Sequence, residues 1–558
     1  MLKGRTSFRR ISMLGLMQRQ PLLISSLLEH AALNHGDAEI VTGLVEGGEH
    51  RSDWAAVADR ARRLGALSRR LGLQIGDRVA SLAWNTHRHL EIYFGVTGAG
   101  CVLNTVNPRL FPEHIEYIIN KAEDQFVFFD LTFLSLLEDL APRLHSVRGY
   151  IAMTDKGNMP ASSSLDLLCY ETLLEAEDDY YEWPVLGEDA GSTLCFTSGT
   201  TGNPKGVLYS HRSTVLQAMA AVAPDAMNLS SRDRMLLVAP LFHVNAWGAP
   251  FAAALCGACL VMPGPQLDGA SLFSLLLKER CTFSLGVPTV WLGLLDHAEL
   301  YARPDEIADI RLKRVLVGGS AAPRALIERF DRLFGTFVLH AWGMTETSPL
   351  ATVGALKAKH ADLAPEKRFD LQMKQGRSLF GVEMKIVDDD GARLPRGGDQ
   401  SGALMVRGPW IVSTYFGEPA GPLDSEGWFA TGDVARIDTD GYLQITDRAK
   451  DVIKSGGEWI SSIDLENAAM SYPGVIEAAV IGVPHARWQE RPLMLVRARS
   501  GIDRTGLMDH LGQHVARWWL PDDILFVDEL PHTATGKLLK TVLREAYRNH
   551  LNVEIAQA

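Results

Sequence analysis

The sequence predicts an α/β protein with a large N-terminal domain of αβα-layered sheets, a small β-rich lobe and a small α+β C-terminal domain. Three observations carry this. Strand-like and helix-like stretches alternate through most of the chain up to residue 376, the pattern of parallel strands covered by helices on both faces. After residue 376 the texture changes to short strands between glycine, proline and aspartate turns. From residue 451 new helix and strand units return, enough for a compact domain of about a hundred residues. The length of 558 residues agrees, because one hydrophobic core stops growing at roughly 250 to 300 residues.

In chain order, residues 1–19 form an extension expected to lack structure. Its opening, "MLKGRTSFRRIS", is basic and free of acids, with no apolar segment behind it, so it does not have the form of a secretion signal; Met13 is an alternative start. The large domain is expected over 20–446. Trp54, Val57, Ala61, Leu64, Leu67 and Leu71 recur at three- and four-residue steps, the stripe of a core-facing helix that Gly72 would end. "RVASLAW" and "CVLNTVN" read as strands, "PEHIEYIINKA" as a helix, and "FVFFD" as a short apolar run. "RVLVGG" (314–319) and "TFVLHAWG" (336–343) read as strands flanking a helix with Pro323 in its first turn. The lobe, 377–446, contains "VEMKIVDDDGARLP", "GALMVRG" and "GYLQITDR". A boundary falls at "TDRAKD", with a hinge over 447–451 and the small domain over 452–558.

Composition removes several functions. The net charge of −12, from 55 basic and 67 acidic residues, with no local basic patch, argues against nucleic acid as a partner. No apolar run is long enough to span a bilayer, which leaves peripheral membrane contact open. Cys101, Cys169, Cys195, Cys256, Cys259 and Cys281 are few, irregularly spaced and set in apolar stretches, which favours reduced thiols in a reducing, cytoplasmic setting. Cys256 and Cys259 form a lone CxxC with no second pair and no histidine at zinc spacing, so they read as part of a strand or helix.

The densest chemical signal is "TSGTTGNPKGV" (197–207), after the strand-like "STLCF". Its glycines let backbone amides approach an anion, its hydroxyls add donors, and Lys205 adds a positive charge, as a phosphate chain requires. It is not a Walker A loop, because Lys205 is followed by Gly206 and the second glycine is misplaced. Read alone, it is either a phosphate loop or a glycine turn between strand and helix.

Further stretches bear on that choice: "APLFHVNAWG" (239–248), "VGGSAAP" (317–323), "HAWGMTETSP" (340–349), "FATGDVARID" (429–438), "DRAKDVIKSGGEWIS" (447–461) and "PHTATGKLLK" (531–540). Together and in this order they resemble the signature set of the adenylate-forming superfamily, which includes acyl-CoA synthetases, luciferases and the adenylation domains of peptide synthetases. The resemblance runs from about residue 20 to 547. The spelling is most similar to bacterial medium- and long-chain fatty acyl-CoA ligases and 3-methylmercaptopropionyl-CoA ligases. It implies a carboxylate attacking the α-phosphorus of ATP to give an acyl-adenylate and pyrophosphate, after which coenzyme A displaces AMP.

The resemblance also implies roles. Thr197, Ser198, Gly199, Thr200, Thr201, Gly202 and Lys205 would hold the β- and γ-phosphates, and Glu346 with Thr197 would bind Mg²⁺, an ion that needs only one or two protein oxygens. Gly318, Gly319, Ser320, Ala321 and Ala322, with Ala341, Trp342, Gly343, Met344 and Thr345, would enclose adenine and position the α-phosphate. Asp433 would accept from both ribose hydroxyls, with Arg448 nearby. Lys537 would bridge the substrate carboxylate and the α-phosphate. Lys450 would sit at the hinge about which a mobile small domain rotates between steps, bringing Gly456 and Gly457 to the pantetheine arm. Lys454 and Trp459 resemble nucleotide contacts of the fatty-acid branch.

For the acid, Trp247 matches a tryptophan that gates the fatty-acid tunnel in similar enzymes, and its alternative is a core residue. His243 matches the meeting point of the acyl and CoA channels, with Gly319 and Trp342 bordering the acid. "FHVNAWGAPFAAALCG" contains no acid, so the ammonium of an amino acid would go unpaired there, at a cost of several kcal/mol. The expected substrate is a non-amino acid, from a short thioether acid to a medium-chain fatty acid. Delivery to a carrier protein and a non-catalytic acyl or nucleotide binder are the alternatives, and a homodimer through the large domain is the expected assembly.

Overall fold

The structure is a computed structural model that describes residues 15–178, 180–197, 203–398, 400–455, 458–485, 487–499, 501–533 and 538–551. Among these, two large sheets form the N-terminal domain. One runs in the order Leu167–Cys169, Gly149–Ala152, Phe126–Phe129, Arg78–Leu82, Val102–Thr105, Gly191–Phe196 and Gly206–Ser210. All its pairs are parallel except the last, which is an antiparallel hairpin across the glycine-rich loop. The second has a parallel centre, Phe337–Gly343, Arg314–Val317, Phe283–Gly286, Arg234–Leu237, Cys259–Met262 and Glu39–Gly43, with antiparallel strands at both edges.

Between the two sheets lies the helix His87–Gly98, which touches strands of both and is buried at every residue. Burial on all sides requires its polar groups to be paired inside. His89 bonds Ser81 Oγ (3.0 Å) and Trp84 O (3.0 Å), Arg88 meets Glu46 and Glu171, and Glu91 receives Arg60 and Tyr170. The striped helix forms over Trp54–Arg70, as its period predicts, capped by Asp53, whose carboxylate accepts from Ala56 N–H (2.8 Å). Leu71 caps its end and Gly72 follows at φ +76°.

Two local expectations change. Pro323 is not in the first turn of its helix but is the cap before it, with ψ 146°, and its carbonyl accepts from Leu326 and Ile327 while the helix runs Arg324–Phe334. Proline's fixed φ suits either position. Cys256 ends the helix Ala249–Cys256 and Cys259 opens the next strand, so the CxxC is a helix-to-strand turn. Gly257 must be glycine there: its φ is +69°, and a Cβ would lie 2.0 Å from the His35 ring.

The β-rich lobe is an antiparallel sheet ordered Glu383–Val387, Gly402–Arg407, Phe429–Ile437 and Leu443–Arg448. Asp447 and Arg448 belong to its last strand, and the small domain's first strand is Ile453–Ser455. The small domain packs the helices Ser462–Met470 and Arg504–His514 against strands that include Val475–His485 and Gln489–Ala498. No helix among the described residues is long and apolar enough to cross a membrane.

Candidate functional site

A cavity of about 1260 Å³ lies where the second sheet, the lobe and the small domain meet. Its first wall is the neck of the glycine-rich loop. Thr197 N–H donates to Lys205 O (2.9 Å) and Lys205 N–H to Thr197 Oγ1 (3.1 Å), which closes the loop at its base. Ser198, Gly199, Thr200, Thr201 and Gly202 lie outside the described residues. The Lys205 ammonium sits 4.8 Å from the centre of the Tyr415 ring, a cation–π contact, and Tyr415 O–H donates to Glu346 Oε1 (2.9 Å). Phe416 N–H donates to Gly206 O and Val412 N–H to Glu346 O, each at 2.8 Å, so the 412–416 segment joins the strand after the glycine-rich loop to Glu346. Thr345, next to Glu346, is held from behind as well, because Tyr209 O–H donates to Thr345 O (2.7 Å). Glu346 is buried on the cavity wall with one carboxylate oxygen taken by Tyr415. That combination fits a divalent cation that keeps most of its waters.

The second wall follows the strand Arg314–Val317. Gly318, Gly319, Ser320 and Ala321 line the cavity, Gly319 at φ +81°. Ala322 N–H donates to His340 Nε2 (3.3 Å), and His340 Nδ1 lies 2.8 Å from Met373 O. These partners require the proton on Nδ1, so the ring is neutral, and burial pushes its pKa down to about 4. Ala341, Trp342 and Gly343 follow on the next strand, with Met344, Thr345 and Glu346 beyond its end, and all line the cavity. Gly343 admits no side chain, since a Cβ would meet Pro349 O at 1.9 Å.

Trp342, Asp433 and Arg448, expected as separate contacts, form one unit. The Trp342 indole N–H donates to Asp433 Oδ2 (2.8 Å) and Arg448 Nε lies 2.8 Å from Asp433 Oδ1. Asp433 and Arg448 are directly opposed on adjacent strands, so their side chains share a face. Asp433 is 2% exposed, and the indole and guanidinium together hold its carboxylate in place.

His243 and Trp247 line the third wall, where the Trp247 ring packs on Gly318: a Cβ added at Gly318 would lie 3.4 Å from the indole. From the small domain come Glu466, Arg497, His532, Thr533, Leu538 and Lys540, and from the segment just before it Lys450. Burial, with Arg448 and Arg544 nearby, lowers the Lys450 pKa. Lys537, Gly456, Gly457 and the Trp459 side chain lie outside the described residues. Lys454 departs from expectation: its side chain is exposed and off the cavity wall, because its strand pairs with Glu458–Ile460 and is tied to Glu490 through the Lys454 N–H (3.0 Å). Tyr415, Tyr209 and His340 were not singled out from sequence. Tyr415 lies in "STYFGEP", a turn-like stretch with no spacing signal, whereas His340 stands inside a motif and could have been.

Residues 28–416 match the family model described as AMP-binding enzyme, and residues 464–537 the model described as AMP-binding enzyme C-terminal domain. The chain is 50% identical over 541 residues to a 3-methylmercaptopropionyl-CoA ligase of Ruegeria pomeroyi, covering 97% of this chain and 100% of that protein. It is 48% identical over 537 residues to a medium-chain-fatty-acid–CoA ligase of Ectopseudomonas oleovorans, covering 96% and 98%. The crystal structure of the anthranilate CoA ligase AuaEII in complex with anthranoyl-AMP has the same fold, with a TM-score of 0.82 at 24% identity over 96% of this chain and 99% of that one. The chain belongs to the AMP-binding enzyme family. It is an AMP-forming acid–thiol ligase that joins a carboxylic acid to coenzyme A with ATP and Mg²⁺.

Proposed function

We propose that the acid is a linear carboxylate with an uncharged tail, a medium-chain fatty acid or a short thioether acid such as 3-methylmercaptopropionate. The observation that carries this is the wall at His243, where Val244 and Trp247 face the cavity with no acid beside them, the one polar neighbour, Asn245, being buried and bonded to Thr193. The acids named for the two relatives at 48 and 50% identity support the same range.

In this reading the first step is an electrostatic problem, since an anionic carboxylate must approach a polyphosphate, and fixed donors and cations aimed at the developing charge dominate catalysis. Lys205 and the loop 197–202 hold the β- and γ-phosphates. Thr197 and Glu346 would hold Mg²⁺, which would supply charge neutralisation, and Tyr415 orients the Glu346 carboxylate. Gly318–Ala321 and Trp342 frame the base, and Asp433 receives the ribose. Lys537 bridges the reacting carboxylate and α-phosphate. The residues flanking it, His532, Thr533, Leu538 and Lys540, face the cavity, which supports reading this pose as the adenylating one. Rotation about Lys450 would then withdraw Lys537 and bring Gly456 and Gly457 toward the thiol, with Lys454 and Trp459 following. The reading includes a cytoplasmic location, consistent with six free cysteines, and a homodimer through the large domain.

A pyrophosphate-release screen over straight-chain, thioether, aromatic and amino acids tests the substrate class. Highest kcat/KM with an amino acid would reject it. Acyl transfer to a pantetheine-bearing carrier protein in preference to coenzyme A would favour the carrier alternative.

A further inference from the structure

The segment that presents His243 and Trp247 to the cavity is bent the wrong way for ordinary residues. Val244, Asn245, Ala246 and Trp247 have φ of 41°, 54°, 47° and 61°, and Gly248 continues at 77°. Four consecutive residues with side chains in the left-handed region is a rare arrangement, since each suffers the clash of Cβ with the following carbonyl. Such a turn persists only when its surroundings over-determine it, and it then tends to mark function.

The surroundings here converge on one buried side chain. Asn245 Nδ2 donates to Thr193 Oγ1 (2.8 Å), while Oδ1 accepts from Tyr93 O–H (3.2 Å) and from the Cys195 thiol (3.3 Å). Burial pushes the Cys195 thiol up to about 11, so its S–H donor is kept at neutral pH. The single Tyr93 O–H proton is shared between Asn245 Oδ1 and the nearer Leu241 O, and Leu241 N–H donates to Asn85 Oδ1 (2.7 Å), which fixes the chain entering the turn. Ala246 N–H donates back to Pro240 O (3.2 Å) and His243 O (3.1 Å). At the exit Gly248 holds φ +77°, which favours glycine, and a Cβ there would displace the Gln217 amide. Asparagine tolerates the left-handed region better than most residues and offers a donor and an acceptor together; aspartate and leucine each lack part of that set.

We propose that Asn245 is a positioning residue for acid selection: its buried network with Thr193, Cys195 and Tyr93 holds the left-handed turn that aims Trp247 across the acyl end of the cavity. Thr193 and Cys195 belong to the strand Gly191–Phe196, which runs directly into Thr197. The acyl wall is thereby anchored to the strand that carries the phosphate loop, so the tail and the reacting carboxylate are registered against one rigid element. The proposal rests on the reading of Trp247 as part of the acyl wall.

The test measures kcat and KM for butyrate, 3-methylmercaptopropionate and octanoate, and KM for ATP, in N245G, T193V, T193S and W247A. Glycine removes the side-chain anchor while relieving the backbone strain, and T193V deletes one hydroxyl partner without changing shape. The expected result is a tenfold or greater change in the octanoate-to-butyrate ratio of kcat/KM for N245G and T193V, expressed in the KM for acid. KM for ATP should stay within twofold, and T193S should keep the parent ratio. An unchanged ratio in folded N245G and T193V, or an equal loss for every acid with a raised KM for ATP, overturns the proposal. If N245G does not fold, the T193V and T193S pair decides alone. An unchanged ratio in W247A would overturn the reading of Trp247 itself, whereas a changed ratio in W247A beside unchanged N245G and T193V rejects Asn245 alone.

Discussion

His340 shows how one buried polar group fixes a loop of the cavity wall. Ala322 N–H needs an acceptor and Met373 O needs a donor, and only the neutral Nδ1–H form supplies both. The folded pKa of about 4 lies below the usual 6.5, so the unfolded chain binds the extra proton first as the pH falls. This contribution to stability is complete above pH 6.5 and is lost as the pH drops toward 4. Gln can make both bonds without titrating. The difference in stability between the parent and H340Q should therefore be flat above pH 6.5 and shift against the parent by about 2 kcal/mol at pH 5, read by thermal or urea unfolding at matched pH. Tyr415 makes a second prediction at this scale. Y415F keeps the ring under Lys205 and removes the bond to Glu346; pyrophosphate formation should fall about tenfold, from the loss of a hydrogen bond to a charged group, and the Mg²⁺ concentration for half-maximal rate should rise. Much of the cavity lining was legible because Thr197, Lys205, Gly318, Gly319, Trp342 and Glu346 stand in motifs rich in glycine, threonine, lysine and acid. Tyr415 and Asn245 were not, since neither a tyrosine in a turn nor a left-handed asparagine leaves a periodic mark.

The helix Ser462–Met470 illustrates what elements contribute. Its cap, Ser461, donates its hydroxyl to Thr446 O, and the Ser462 N–H donates to Asp447 Oδ2 (2.7 Å), so the helix start is bonded to the end of the lobe's last strand. Lys540 bonds Ser462 Oγ and pairs with Glu466 (2.6 Å), and Arg544 pairs with Asp451. Asp447 is buried, which raises its pKa, with Lys540 opposing. The Ser461–Thr446 and Ser462–Asp447 bonds hold the small domain against the lobe in the pose described, and D447A removes the acceptor of a buried N–H. Adenylation, followed by pyrophosphate exchange, should slow about tenfold, while conversion of supplied acyl-adenylate to thioester should change little. Equal losses in both half-reactions would contradict a pose-specific role. Elements with clean periods, such as Trp54–Arg70, were readable beforehand. The strand Phe429–Ile437 was not read as one, because it carries "ATGD" and a register shift against its neighbour, which break the alternation a strand normally shows.

At the scale of the molecule, two sheets, a lobe and a small domain enclose one cavity, and residues from all of them are needed to complete it. The division of the chain was visible from length and texture, and the chemistry from motifs scattered over more than three hundred residues. Their assembly was not, because Trp342, Asp433 and Arg448 meet only through sheet register. The whole arrangement is built to let a carboxylate oxygen attack the α-phosphorus. The direct measurement is the fate of that oxygen: octanoate labelled with ¹⁸O in both carboxyl positions is turned over with ATP, Mg²⁺ and coenzyme A, and the products are weighed by mass spectrometry. The account predicts one ¹⁸O in AMP and none in pyrophosphate. Label in inorganic phosphate beside ADP, or AMP free of label, would contradict it.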